Sequence, residues 1–539
     1  MINTREAIEI DAPTGLRRLL SVFAPVKRSE VFTVVLLSIN VFVLLSCYYV
    51  LKVVREPLIL LGGGAELKAY ASAGQAVLLL AVVPAFVWLS SRVGRLRLLT
   101  TMQLIFIGCL IAFYLFANLH APIGLAFYLW LGIFNMLVVS NFWSFANDLY
   151  TEEQGRRLFA VIGIGASIGA IIGAYVPQML HRVIGIYSLM LVAAGGLALS
   201  IVLYRLADLR ERANREAREA ELEATSRAEA RRDGKPEEGA AASREGGFAL
   251  IAKDRYLRLV ALMVLVATII NTTGEYVVSK LATDRSKDYA AKTVGSASET
   301  GSEANATPAS NAASTSKAAG EPKAGESKAT GDAKATGDAK ASGDAKEGGD
   351  AKAFEKAQGD YLSGFFSSYY GLVNLLSALL QALLVARLLT RLGIRRSLFI
   401  MPLVVLGGWF SLLLFTNVAV VRVAKTAENS LDYSLNNTLR HALFLPTSRA
   451  SKYKAKAAID TFVVRMGDVI AGLGIVFLMV EVLDLGVQAF AAMNVALAAV
   501  WLLLAARAGR LHDKLVEDKA RGPKGSDGPE VAAEGHGAA

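Results

Sequence analysis

Six polar side chains recur on one helical face in an otherwise apolar stretch: Arg422, Lys425, Asn429, Asp432, Asn436 and Arg440. At 100° per residue they fall within about 80° of one another. From 422 to 440 they cover about 27 Å at 1.5 Å per residue, close to the hydrocarbon thickness of a bilayer. The other faces carry Val420, Val421, Leu431, Leu435, Leu439 and Leu443, and the preceding run LVVLGGWFSLLLF is almost purely apolar. Each charge held at mid-bilayer costs about 2.5–3.5 kcal/mol on insertion scales. Three cations and an acid on one spanning helix therefore imply a purpose, the wall of a water-filled path for an anionic solute. The alternative, an amphipathic helix lying on the membrane surface, fits poorly with a segment in register within alternating spans.

Other apolar segments carry polar groups at helical spacing. In CYYVLKVVREP, Lys52 and Arg55 stand at i, i+3 beside Tyr48 and Tyr49; the bland alternative is snorkelling at the membrane edge. In ATIINTTGEYVVSK, Asn271 and Glu275 share a face. An acid this deep is functional by default, or else the structural partner of a lysine or arginine; Lys280 near the end can snorkel. A later segment carries Asp460, Thr461, Arg465 and Asp468, and Arg465 and Asp468 can pair with each other at i, i+3. The expected substrate-binding set is Lys52, Arg55, Glu275, Arg422, Lys425, Asp432, Asn436, Arg440 and Arg465. Its six cations face Glu275, Asp432 and Asp468, a cationic excess, and the arginine fork suits phosphate oxygens. The chain has no P-loop and no His/Cys cluster at metal spacing, and its five histidines are scattered. No enzyme activity, cofactor or metal is expected. Cys47 and Cys109 sit in apolar segments with no redox pattern.

The elements that must position these groups are membrane spans. The chain has 539 residues, 54% of them hydrophobic, and several apolar runs exceed the roughly 18 residues that mark a transmembrane helix. Twelve spans are expected, at 31–51, 69–90, 97–117, 122–145, 158–180, 185–205, 257–280, 361–384, 397–416, 419–444, 458–480 and 485–507; they are called spans 1 to 12 below. The net charge is +10, but the cations gather in short loops on one side, the positive-inside signature rather than a nucleic-acid surface. That side is expected to be the cytoplasm, with both termini on it, in a bacterial inner membrane. The opposite loops around Asn118–Pro122 and Arg182–Gly185 hold few cations; Arg55 and Lys68 break the rule. Residues 1–30 lack a signal peptide's apolar region and cleavage site.

The expected organisation is a cytoplasmic segment 1–30, a six-helix bundle 31–205, a charged helix-prone linker 206–255, a second six-helix bundle 256–510, and a disordered tail 511–539. An Ala/Gly/Ser/Lys/Asp-rich insert at 285–356, with the near repeat ATGDAKATGDAKASGDAK, cannot bury a core and is expected to be disordered. The halves echo each other. RVGRLR between spans 2 and 3 matches RLGIRR between spans 8 and 9, DLYTEEQGRRL corresponds in place to FLPTSRASKYKAK, and Asn141 to Asn437. Six plus six spans with these loops resemble the major facilitator architecture, two bundles around a midplane site, in an all-α polytopic membrane protein. Arg92, Gly94, Arg391 and Gly393 would then serve gating, though positive-inside charge alone accounts for the arginines. The Gly/Ala spacing of GIGASIGAIIGAY in span 5 suits close helix packing.

Four stretches resemble the nucleotide transporter family, the ATP/ADP exchangers of plastids and intracellular bacteria. They are YYVLKVVREPLIL with GGGAELKAY; NFWSFANDLYTEEQGRRLFAVIGIGASIGAIIG; NTTGEYVVSK; and DYSLNNTLRHALFLPTSRASKYKAKAAID. The resemblance implies antiport of nucleotides, with Lys52 or Arg55, Glu275 and Arg440 at positions whose charges the family uses. The chain departs from the family where Arg440 replaces a common lysine, where span 4 lacks an interior acid, and in the insert. Two other readings stay open: a proton-coupled facilitator of another metabolite or drug, using Glu275 and Asp432, and a membrane scaffold that transports nothing. The partners expected are a nucleotide or other small phosphate-bearing anion and the lipid bilayer, with no nucleic acid.

Overall fold

In a bilayer every backbone N–H and C=O must be satisfied within the chain, which leaves helices for runs as apolar as these. The computed structural model describes residues 28–90, 92–150, 152–229, 247–304, 336–447 and 454–520, and they are almost entirely helical. Nine helices among them are long and apolar enough to cross a membrane. The remaining three crossings come from particular breaks. Helix Arg28–Ser90 holds both span 1 and span 2, turning at Gly63 and Gly64. Span 9 is the 15-residue helix Ile400–Leu414. Span 10 is divided into Val418–Leu431, a π turn at Asp432–Asn436, and Asn437–Ala442. The chain is an all-α polytopic membrane protein with twelve spans.

Three turns between spans put glycine at positive φ, Gly185 at φ 82° among them. Gly64 has φ 70° and Gly393 has φ 71°, left-handed backbone that a side chain disfavours. Gly393 lies in RLGIRR, so the glycine there is required by the turn as well as by any gating role. Its counterpart Gly94 caps the next helix with φ −57° and needs no such freedom.

The helices run further than the spans. Span 6 continues to Glu229 in the charged linker, which also holds the short helix Gly247–Lys253. Span 7 continues to Ala304, and the helix of span 8 starts at Thr336. This corrects the expectation of disorder across 285–356, because both ends of the insert are helical; residues 305–335 lie outside the described residues. Span 12 likewise continues to Ala520, inside the segment expected to be a disordered tail. The physical reason is common to all three. A membrane helix has already met the cost of nucleation, and Ala, Lys and Glu propagate it into water. Residues 1–27 and 521–539 also lie outside the described residues.

Each half has its own apolar core. One cluster is built entirely from spans 1 to 6, around Phe127, Phe134, Phe142 and Phe145. The second centres on spans 7 to 12, with Tyr369, Trp409 and Phe490, and takes in Tyr49, Val53, Ala69, Ala170 and Ala174 from the first half. Those five residues mark the seam: spans 1, 2 and 5 meet the second bundle.

Within the first bundle, spans 1 and 5 touch backbone to backbone. Gly165, Gly169 and Gly173 face the carbonyl oxygens of Ser38, Phe42 and Ser46, and a Cβ at any of them would collide with backbone. The Ser46 hydroxyl donates to Gly169 O at 3.1 Å. Gly169→Val is therefore expected to destabilise the protein by about 1–3 kcal/mol, seen as a lowered melting temperature in detergent. Gly163→Val, where a Cβ meets nothing within 4 Å, should melt near wild type; equal melting of the two variants would refute this packing account.

Candidate functional site

Where the bundles face each other they leave a cavity of about 360 Å³, lined from both halves. Lys52, Arg55, Glu275, Asp432, Asn436, Arg440 and Arg465 all stand in its wall. The wall reaches Leu398 and Leu443, the first beside the arginine-rich turn that follows span 8. Its other end stops at Lys68 and Glu275.

That end is sealed by bonds between the bundles. Glu56, fully buried, forms an ion pair with Lys68 Nζ at 2.6 Å, accepts from the Tyr370 hydroxyl of span 8 at 2.9 Å, and pairs with neighbouring Arg55. Lys68 also donates to Ser279 of span 7 at 2.8 Å and stands 4.0 Å from Glu275. Farther out, Lys280 meets Glu66 at 2.9 Å, and the Tyr70 hydroxyl reaches Glu481 at 3.0 Å. Close backbone approach supports these links: Gly472 of span 11 lies against Ala69 O of span 2. All these contacts lie toward the arginine-poor face, so the cavity points to the arginine-rich one.

Charge in the wall is more balanced than the sequence implies. Arg440 pairs with Asp460 at 2.8 Å, and Lys456 shares that carboxylate. Arg465 pairs with Asp468 at 3.1 Å, and Asp468 also accepts from Thr272 at 2.8 Å. Glu275 accepts from Asn429 at 3.0 Å and from the Tyr369 hydroxyl at 3.3 Å. Five cations in the wall (Lys52, Arg55, Lys68, Arg440, Arg465) and Lys456 behind it thus meet three carboxylates in the wall (Glu275, Asp432, Asp468) and two behind it (Glu56, Asp460). The wall alone keeps a cationic excess of two, and counting the residues behind it lowers the excess to one. Glu56 and Asp460 supply the difference.

Lys52 stands apart. Among the described residues no carboxylate lies within ion-pair distance of it. Its Nζ sits 4.1 Å from the ring centroid of Tyr370 and 5.3 Å from that of Tyr49. Cation–π contact of this kind offsets part of the charge's desolvation and leaves the ammonium's donors for a ligand. Arg55 similarly lies 4.4 Å from the Tyr128 ring.

Two expected members of the site are elsewhere. Lys425 is completely buried inside the second bundle, bonded to Glu428 at 2.6 Å and to Asn271 Oδ1 at 3.0 Å. Arg422 donates to Ser368 at 2.9 Å and lies over Phe365. Neither lines the cavity. The reason is the π turn at Asp432–Asn436. An added residue in a turn rotates everything after it by about 100°, so the face shared by Arg422, Lys425 and Asn429 is not the face of Asp432, Asn436 and Arg440. Arg92 and Arg391 are exposed on the arginine-rich face, Arg92 stacked 4.2 Å from Trp88. Among the described residues neither forms an ion pair. Gly94 and Gly393 sit in the turns between helices already described.

No family model matches the chain, and no curated protein matches it in sequence. Solved structures match in shape. One is a POT family transporter crystallised with 5-aminolevulinic acid, at a TM-score of 0.53 and 12% identity, covering 89% of this chain and 96% of that one. Another is the nucleoside transporter NupG, at a TM-score of 0.51 and 10% identity, covering 88% of this chain and 99% of that one. The fold is that of the major facilitators. In a facilitator fold the site lies between the two bundles. Here the seal lies on the arginine-poor face and the cavity walls reach the arginine-rich one.

Residues the sequence reading did not assign to the site are Glu56, Lys68, Tyr370 and Tyr433. Lys68 carried a signal, as a cation on the face where cations are scarce. Glu56 carried a weaker one, its place next to Arg55. Tyr433 stood beside Asp432 in the DYSLNNTLR segment, a signal of place only, and Tyr370 had none.

Proposed function

We propose that this protein is a secondary transporter that exchanges nucleotides, or closely similar phosphate-bearing anions, by alternating access through the central cavity. The observation that carries the reading is Lys52, a cation in the cavity wall held by tyrosine rings rather than by a carboxylate. A cavity of about 360 Å³ falls in the range of small-molecule sites, about 300–1,000 Å³. Its tyrosines offer flat apolar faces for a base, and Arg55, Arg440 and Arg465 offer forks for phosphate oxygens. The motifs shared with the ATP/ADP exchangers point the same way.

Exchange follows from the charge balance. Closing the empty cavity strips water from Lys52 with no counter-charge in place, at several kcal/mol per ion. A bound phosphate provides that counter-charge, so the loaded carrier crosses the occluded state more readily than the empty one. On this reading the arginine-rich face is cytoplasmic in a bacterial inner membrane. The turns holding Arg92, Gly94, Arg391 and Gly393 close that face when the seal at Glu56 opens.

The test is uptake of labelled ATP into proteoliposomes. Uptake should be fast with unlabelled nucleotide inside and near background in empty vesicles. Equal uptake into both would rule out obligatory exchange. No uptake of any nucleotide would overturn the substrate.

A further inference from the structure

The cavity holds a second unmatched charge, and it is negative. Asp432 lines the wall on the π turn of span 10. Its hydrogen-bond partner is Asn436 Nδ2 at 2.6 Å, and among the described residues no cation lies within ion-pair distance. The other carboxylates of the site each have a cation at 4.0 Å or less: Glu56, Glu275, Asp460 and Asp468. The cavity is thus bipolar, with Lys52 lacking an anion and Asp432 lacking a cation. The two do not pair with each other.

We infer that Asp432 determines specificity by accepting hydrogen bonds from an exocyclic amine on the base of the transported nucleotide, while the phosphates lie toward Lys52 and Arg55. The inference rests on the nucleotide reading above and names the class within it: amine-bearing bases rather than their carbonyl counterparts. An ionised carboxylate is acceptor-only. It welcomes an amine and repels a carbonyl oxygen at the same place, in the way aspartate and glutamate accept from the N4 amine of cytosine. Water satisfies Asp432 while the cavity is open. When the bundles close, that water leaves, and an acceptor without a donor is penalised. A ligand carrying N–H groups at that end replaces the water.

Local structure supports this use of the residue. A π turn re-aims the side chains after it and recurs at functional sites; here it brings Asp432, Tyr433 and Asn436 to the cavity while Lys425 and Asn429 face the bundle interior. Tyr433, 44% exposed, lies next to the carboxylate in the wall and presents a ring on which a base can stack. Asn436 holds the Asp432 carboxylate from the next turn.

Two matched pairs test the idea in the purified full-length protein by calorimetric titration: CTP against UTP, and ATP against ITP. Each pair swaps an exocyclic amine for a carbonyl oxygen, with the adjoining ring nitrogen passing from acceptor to N–H donor, and leaves the triphosphate unchanged. In the pair whose ring fits, the amine member should bind at least about tenfold tighter. In Asp432→Asn, whose amide offers both a donor and an acceptor, that preference should fall below about threefold. The wild-type comparison needs no variant, so a misfolded Asp432→Asn would not shield the idea. Binding of CTP and UTP, and of ATP and ITP, with equal affinity would overturn the inference and leave nucleotide transport standing. So would an undiminished preference in a folded Asp432→Asn. If uptake by Asp432→Asn lost a dependence on the proton gradient while the base preference stayed, the carboxylate would be a proton carrier and the inference would be wrong. Failure of all four nucleotides to bind would overturn the inference together with the reading it rests on.

Discussion

Lys52→Met should weaken nucleotide binding by roughly 10- to 150-fold, from a charge-assisted contact of about 1.5–3 kcal/mol at about 1.4 kcal/mol per tenfold. Methionine keeps the length of the stem and its packing between Tyr49 and Tyr370, so the change isolates the ammonium. Lys52 has no carboxylate to strand, and its loss should leave the melting temperature nearly unchanged. Lys425→Met is the informative contrast. Lys425 is fully buried against Glu428, and its removal leaves a buried acid without a partner, a loss of about 3–5 kcal/mol in stability. The protein that still folds should bind nucleotide nearly as wild type does. Calorimetric titration for affinity and thermal melting for stability separate the two effects. Unchanged affinity in Lys52→Met would remove Lys52 from the site. Weakened affinity in folded Lys425→Met would bring Lys425 back into it.

That contrast also shows where the sequence was readable. Apolar runs gave the twelve spans because the bilayer permits little besides helices, and the two-bundle arrangement followed from loop charge and the halves' echo. The stripe on span 10 was readable as a set of polar positions but not as one face. A 100° step assumes an unbroken α-helix, and the π turn at Asp432–Asn436 leaves no mark in composition or spacing. The charge balance was unreadable for another reason. Glu56 counts as a site residue only once the turn at Gly63–Gly64 folds Lys68 back beside it, which joins two helices that the sequence keeps separate. Glu428, in contrast, stands three residues from Lys425 on one helix, a spacing at which pairing is ordinary. Its partner's burial, not its position, decides that the pair is structural.

Glu56→Gln should shift the protein away from the state in which the arginine-poor face is closed. The Glu56 carboxylate joins the end of span 1, the start of span 2 and the middle of span 8, through Arg55, Lys68 and Tyr370. Glutamine keeps the shape and removes the charge. Arg55 and Lys68, whose side chains are only 12% and 7% exposed, then lose their shared counter-ion while still largely buried at the closed end of the cavity. Breaking a buried pair in this way costs about 3–5 kcal/mol. The penalty is largest while the arginine-poor face is closed, because opening that face hydrates both cations more fully. Even about 3 kcal/mol changes the ratio of the two states by roughly 150-fold. Spin labels at Gly62 and Asp360, near the facing ends of spans 1 and 8, report the opening. Pulsed electron paramagnetic resonance should find them close in the wild-type background and separated in Glu56→Gln. The double variant Glu56→Gln/Lys68→Met strands one cation fewer and should recover part of the short-distance population, a coupling that independent sites would not show. An unchanged distance distribution in Glu56→Gln would mean that the seal rests on the outer links at Glu66–Lys280 and Tyr70–Glu481 instead.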